Sequence, residues 1–216
     1  MPEHDIVILI PCFNEEKTIL RVSKMAKKFA DIVVADDSSS DSTKDILKKN
    51  KIKFFSNQIN QGYEKNLITG FKYIFSNFKK KKYILTIDAD GEFLPKGIKK
   101  LISLIKKSNS DMVIGQRSKF NRFSEIFLDY IFFKKYKIKD PVSGLKIYKI
   151  SFLKKIIKNL SFSMFLVDIV CLSKKMNLKV KNTEVLVKKR LDKSRVGNYL
   201  ISNLKILKIT FQVIIF

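Results

Sequence analysis

Asp88, Asp90 and Glu92 stand on alternate residues at the end of an apolar run, LTIDADGEF over 85–93, with Gly91 between the last two. On a continuing strand all three carboxylates point to one face, and Gly91 lets the backbone turn there. Like charges gathered in this way repel unless a cation sits among them, and an all-oxygen donor set suits Mg2+ or Mn2+. The same residues also read as an acidic turn leading into a helix opened by Pro95; both readings stay open on these residues alone. A second acidic group, Asp36, Asp37 and Asp41, lies among Ser38, Ser39, Ser40, Ser42 and Thr43. Asp41 or Ser42 is placed to cap a helix starting near Thr43, whereas Asp36 and Asp37 are better placed to accept hydrogen bonds from a base or ribose. In the first polar loop, PCFNEE, Asn14 reads as an N-cap for a helix starting at Glu15 or as part of a ligand pocket.

These clusters need a scaffold. Short runs rich in Ile and Val at 5–10, 31–35, 52–55, 83–87 and 111–115 read as buried strands. Helical spacing lies between them: Ile19, Val22, Ala26 and Phe29; Leu67, Gly70, Phe71 and Ile74; Ile98, Leu101, Ile102 and Ile105. Alternating strand and helix predicts an α/β fold with a mainly parallel sheet flanked by helices. Ligands bind such sheets beyond the carboxyl ends of the strands, which is where PCFNEE, DDSSSDST and DADGE fall. After residue 118 come a Phe-rich stretch over 120–133, the segment KDPVSGLKIYK, two helices around 151–159 and 163–176, and a strand-like 178–188. Near the C-terminus Leu200, Leu204, Leu207, Phe211 and Ile214 recur at helical spacing beside Lys205 and Lys208. This reads as a basic amphipathic helix at a membrane interface or as a last helix packed on the core.

Composition narrows the chemistry. The 216 residues fit one domain with a sizeable core. Cys12 and Cys171 cannot form a disulfide framework, and with His4 the sole histidine a Cys/His zinc site is excluded. The net charge of +24 favours anionic partners without choosing among nucleic acid, membrane and phosphorylated substrates. Only five of the 44 basic residues are arginine: Arg21, Arg117, Arg122, Arg190 and Arg195. Guanidinium clamps phosphate in bidentate fashion, so these five carry more information than the many lysines. Glu3, His4 and Asp5 stand where a secretory leader would need a cationic, apolar start. No uncharged apolar run reaches the length of a membrane span. The expectation is a cytoplasmic protein, soluble or peripheral. A nucleic-acid-binding protein explained by charge alone lacks helix-turn-helix, zinc and RNP-like signatures.

The segments VILIPCFNEEKTI, VVADDSSSDST, NQINQGYEKNLITGF, TIDADGE, VIGQRS, DPVSGLKIY and RLDKSRVG follow one another in an order that resembles the family 2 glycosyltransferases, especially polyprenyl-phosphate sugar synthases. The resemblance spans about residues 5–197. It implies a GT-A fold, a nucleotide-sugar donor and a divalent metal, Mg2+ or Mn2+. It places Pro11, Asn14, Glu15, Asp36, Asp37 and Gly62 around the nucleotide, with Asp37 on the base. Asp88 and Asp90 match the pair that meets donor diphosphate and metal, and Glu92 stands where Gln is frequent. Arg117, Arg122, Ser143, Gly144 and Ser194 fall on the acceptor side. Arg190 and Arg195 fall in the loop that closes on the diphosphate. Asp140 heads the D-x-x-S-G segment and, with Glu92, is the candidate base if the acceptor is a hydroxyl. Glu64 replaces a glycine of the family's NxGxG segment, Ser38 another glycine, and Phe13 a tyrosine.

The implied organisation is a glycosyltransferase domain over 1–197, with a nucleotide-sugar half at 1–118 and an acceptor half at 119–197, then an amphipathic helix over 198–216. The implied reaction moves a hexose from a UDP- or GDP-sugar, with inversion, to a polyprenyl phosphate. A saccharide acceptor of surface polysaccharide synthesis is the alternative. The enzyme would sit peripherally on the inner leaflet of the cytoplasmic membrane.

Overall fold

A computed structural model describes residues 2–120, 122–158, 165–188 and 199–215. The five predicted runs form β1 (Glu3–Cys12), β2 (Ala30–Asp36), β3 (Phe54–Ser56), β4 (Tyr83–Thr86) and β5 (Met112–Arg117). They alternate with α1 (Ile19–Lys27), α2 (Thr43–Lys49), α3 (Tyr63–Asn77) and α4 (Pro95–Ser108). The Phe-rich stretch is α5 (Phe123–Tyr136), and then come β6 (Lys146–Lys149), α6 (Ile150–Ile157), α7 (Phe165–Lys175), β7 (Val180–Val185) and α8 (Tyr199–Ile215).

One seven-stranded sheet has the order β3-β2-β1-β4-β6-β5-β7. Among the described residues β6 alone runs antiparallel to its neighbours. That reversal matters for the site. A parallel strand brings its following loop to the carboxyl edge of the sheet, whereas β6 brings the loop before it. The DPVSG segment therefore arrives beside the DADGE turn, with Lys146 opposite Thr86 in the register.

The central strands β1, β2, β4, β5 and β6 are buried on both faces, as an inner strand of such a sheet requires, whereas the edge strands β3 and β7 are only partly covered. In β1, Val7 and Leu9 point into one core layer with α3, α6 and α7, while Ile6, Ile8 and Ile10 point into the other with α1 and α4. Gly70 lets α3 lie close to β1, since a Cβ there would come 2.7 Å from both Leu9 methyl carbons. The helix at the C-terminus packs on the core, through residues other than the stripe first singled out. Ile206, Ile209 and Val213 are buried in the core, whereas Leu204, Phe211 and Ile214, from the stripe first singled out, face outward. The expected domain boundary at 197 lies outside the described residues.

Candidate active site

The β4 strand stops at Thr86, and Asp88–Gly91 form a turn in which Gly91 takes φ +76°. Strand alternation therefore does not set the directions of the acidic side chains. Asp88 Oδ1 accepts a 2.8 Å hydrogen bond from the Tyr63 hydroxyl, and Asp90 Oδ1 accepts one of 3.0 Å from the Glu92 backbone N–H. The expected three-carboxylate cluster is not formed: among the described residues no three acidic, His or Cys side chains gather closely enough to hold one ion. Asp88 and Asp90 remain as the interacting pair. Burial, and then the Asp90 charge, push the Asp88 carboxyl up to about 6. Two mutually repelling carboxylates with only oxygen donors fit Mg2+ or Mn2+, which typically take one or two protein carboxylates and complete their shell with substrate phosphate. Arg21, the arginine outside the phosphate segments, lies with Nη2 only 2.2 Å from where a Gly91 Cβ would stand. Only the fold brings it to this turn.

The first two polar loops interlock. Asn14, at φ 55°, accepts from the Ser40 and Asp41 N–H groups at 2.8 and 3.3 Å, and its own N–H donates to Ser39 Oγ at 2.8 Å. The α1 helix starts only at Ile19, so Asn14 is a staple between loops and not its N-cap. Thr43 Oγ1 accepts from the Glu15 N–H, and the Glu15 carboxylate from Thr18 Oγ1, both at 2.8 Å. Asp41, and not Ser42, caps α2 by accepting from the Thr43 N–H at 2.9 Å. Asp36 is fully buried and accepts from the Ser39 N–H. Asp37 holds the NQG segment: Oδ1 accepts from Asn57 Nδ2 at 2.8 Å and the Gln61 N–H at 2.9 Å, and Oδ2 accepts from the Gly62 N–H at 2.8 Å. Pro11 is buried at the end of β1 beside Ala35. These residues thus shape a common rim at the carboxyl edge, largely through bonds to one another.

On the other side of the turn lies a buried ionic cluster. Arg117 donates to Asp140 from Nε at 2.9 Å and from Nη2 at 2.8 Å, and Nη2 also reaches Glu125 at 3.2 Å. Arg122 Nη1 donates to the other Glu125 oxygen at 3.0 Å. Burial works against the Arg117 charge, but the Asp140 hydrogen bonds and the charges of Asp140 and Glu125 outweigh it and raise its pKa. The arginine expected to hold an acceptor phosphate is thus bound internally. Asp140, at 0% exposure, meets Arg117 with both oxygens and also accepts the Arg117 N–H at 2.9 Å. Ser143 Oγ donates to the Gly115 carbonyl at 2.7 Å, tying the DPVSG loop to β5. Breaking a buried pair by removing one partner costs about 3–5 kcal/mol. Asp140→Ala is expected to destabilise the chain on that scale, measured as a lower urea midpoint with unchanged slope.

One buried position beside the site was not singled out from sequence. Lys146 is completely buried, and its Nζ donates to the Ser143 carbonyl. Burial lowers its pKa to about 7, against the upward pull of Asp140 and Asp88. In a chain so rich in lysine one more carried no signal. Between about pH 7 and the ordinary lysine value the unfolded chain binds a proton that the folded chain does not, so stability from this group rises with pH across that window. The wild-type Tm is therefore expected to climb relative to that of Lys146→Met between those pH values, in thermal melts without metal. Glu64, the residue replacing a family glycine, accepts the N–H of Phe165, the first residue of α7, at 2.8 Å. A carboxylate at a helix N-terminus is favourable, and burial pushes it upward while that bond lowers it.

The carboxyl edge so assembled invites comparison with known families, and residues 7–168 match the model of glycosyl transferase family 2. This chain belongs to glycosyl transferase family 2. An uncharacterized protein of Methanocaldococcus jannaschii is 32% identical over 198 residues, 84% of this chain and 80% of the relative. A UDP-N-acetylglucosamine–dolichyl-phosphate N-acetylglucosaminyltransferase of Methanococcus voltae is 27% identical over 185 residues, 71% of this chain and 73% of the relative. Among solved structures, glucosyl-3-phosphoglycerate synthase from Mycobacterium tuberculosis in complex with phosphoglyceric acid superposes with a TM-score of 0.72 at 16% identity, over 98% of this chain and 78% of the other. The same enzyme with Mn2+, UDP-glucose and phosphoglyceric acid gives 0.71 at 16%, over 96% and 79%. At that identity the likeness establishes the GT-A fold of this glycosyltransferase. Arg190, Ser194 and Arg195 lie outside the described residues. The last described residue before them, Lys188, donates its N–H to the Glu92 carbonyl at 2.8 Å, so the chain leaves from beside the acidic turn of the glycosyltransferase.

Proposed function

We propose that this chain transfers a hexose from a nucleotide-sugar, a UDP-sugar first among candidates, to a polyprenyl phosphate. The observation that carries the acceptor is the state of Asp140. A sugar hydroxyl needs a carboxylate free to take its proton; of the two candidates Asp140 is taken up, buried with both oxygens on Arg117, which leaves Glu92 for that role. A phosphate monoester, with a second pKa of about 6, is largely ionised at neutral pH and needs no base. The Methanococcus voltae relative, named for a dolichyl-phosphate acceptor and a UDP-sugar, supports the same choice.

In this reading Asp88 and Asp90 hold a divalent ion, which when bound neutralises charge developing on the leaving nucleoside diphosphate. Tyr63 holds the Asp88 carboxylate by a hydrogen bond, and Gly144, lacking a Cβ, leaves room for it. Asp37, Asn14 and Glu15 shape the nucleotide rim through the loops they join. Asp140 and Glu125 hold Arg117, and Glu125 also holds Arg122, at the start of α5, as cations of the acceptor side. Arg190, Ser194 and Arg195 are assigned to the segment that closes on the diphosphate and acceptor. Work at the inner leaflet of the cytoplasmic membrane follows from a lipid acceptor; among the described residues no helix is long and apolar enough to cross a membrane.

Purified protein with Mn2+ and a panel of UDP- and GDP-sugars is expected to release nucleoside diphosphate only when polyprenyl phosphate is added, and to stop when EDTA removes the ion. Release that depends on a saccharide acceptor instead, or no release across the panel, overturns the reading.

A further inference from the structure

The α5 helix, FSEIFLDYIFFKKY, is apolar nearly all round, which is ordinarily the mark of a helix enclosed by protein. Its inner side accounts for only part of that character: Leu128 and Phe132 are fully buried, beside Ser124 and Glu125. On the outer side Phe123, Ile126 and Tyr130 are 58%, 56% and 55% exposed, with Phe127 and Phe133 beside them. The spacing 123, 126, 127, 130, 133 traces one continuous helical stripe.

The α8 helix runs alongside in the same direction. Ser124 Oγ donates to Asn203 Oδ1 at 2.6 Å near the start of both helices, and Lys135 Nζ to the Val213 carbonyl at 2.7 Å near the end of both. It adds its own outward Leu204, Phe211 and Ile214.

Charge on this helix pair has one sign on the outside. Lys134, Lys137, Lys205 and Lys208 are exposed. Lys134 Nζ stands 5.6 Å from the Tyr130 ring centre, and Lys137 and Lys139 stand 5.4 and 5.1 Å from that of Phe133. Of the acids of α5, Glu125 is buried with Arg117 and Arg122, and the half-buried Asp129 accepts the Asp140 N–H at 2.5 Å. The α8 sequence contains no acid. An aromatic stripe interleaved with lysines, with no fully exposed acid beside it, complements an anionic lipid surface, where rings sit at headgroup level and cations meet lipid phosphate.

We propose that the outer face of the α5–α8 pair is the surface by which this protein docks on an anionic bilayer. It deepens the lipid-acceptor reading and rests on it for purpose, since Arg122 immediately precedes α5 and the helix carries Glu125, so docking would set the acceptor side of the site at the headgroups.

The test uses the full chain and sucrose-loaded vesicles of phosphatidylcholine with or without phosphatidylglycerol, containing no polyprenyl phosphate, read by co-sedimentation. Wild type is expected to sediment with the anionic vesicles and to release as salt rises. Ile126→Ser/Tyr130→Ser, at two exposed positions, is expected to weaken sedimentation by about tenfold or more with an unchanged urea midpoint. Lys134→Gln/Lys137→Gln should weaken it on anionic vesicles and flatten the salt dependence. Equal sedimentation of the Ser variant and wild type, or no sedimentation of wild type, overturns the proposal. So does a wild-type dimer in light scattering that becomes monomeric in the Ser variant while vesicles are ignored, which would assign the face to a second copy of the chain. Transfer to a short, water-soluble prenyl phosphate without vesicles reports separately on the acceptor reading.

Discussion

Asp88→Asn is expected to lower kcat for sugar transfer by about 10²- to 10³-fold, the scale on which loss of one preorganised electrostatic group acts, while making the metal-free protein more stable. The two effects have one cause. Burial and the neighbouring Asp90 raise the Asp88 pKa from 3.8 to about 6, so its ionised form is disfavoured in the fold. A carboxyl with a raised folded-state pKa holds its proton more tightly folded than unfolded, so the stability it contributes falls as pH rises between about 4 and 6 and stays low above. Asparagine keeps an oxygen for the Tyr63 hydroxyl bond and removes the charge. At neutral pH the variant is expected to gain about 1–2 kcal/mol without metal, and its advantage over wild type should vanish as pH falls through that window. Added Mn2+ should stabilise wild type and leave the variant unmoved, because binding to the folded state alone raises apparent stability. Urea melts with and without Mn2+ and a nucleoside diphosphate release assay read all three quantities. A variant that is inactive, unstable and indifferent to pH would make Asp88 a structural residue.

Gly144→Ala is expected to approach the same loss of activity from the opposite side of the turn. A Cβ at Gly144 would stand 1.9 Å from Asp88 Oδ2 and 2.2 Å from its carboxyl carbon, so the carboxylate must move. The Gly144 carbonyl, which accepts a 2.9 Å bond from Thr86 Oγ1, holds the loop against β4 and leaves it little room to retreat. Overpacking of this kind typically costs about 1–3 kcal/mol, and kcat/KM should fall about 10²-fold or more, since a displacement near 1 Å of a catalytic group has that effect. Because both substitutions act through one carboxylate, their effects on activity should not add. The double variant should be little worse than Asp88→Asn alone, whereas independent sites would multiply. An active Gly144→Ala enzyme would mean that Asp88 works equally well from a displaced position.

The sequence determined a great deal of this protein. Five runs such as DIVILI and YILTI became five strands because burial on both faces of a parallel sheet requires unbroken apolar stretches, and their spacing with the intervening helices leaves few other folds. It also picked out the polar segments after β1, β2 and β4, since ligands bind such a sheet beyond the carboxyl ends of its strands. Their ordered motifs resembled family 2 glycosyltransferases, the family to which the chain belongs. What the sequence could not supply was partnership. The α5 helix escaped notice because its outward aromatic stripe hides the periodicity of its buried side. Nothing local indicated that β6 reverses direction and so delivers Gly144 against Asp88, or that Asp140 closes on Arg117 across 23 residues. Glu64 looked like a damaged glycine until its carboxylate met the start of α7, 101 residues away. Side-chain identity records which charges and volumes are present, but only the assembled sheet and its packed loops decide which of them are neutralised inside the protein and which remain for a ligand.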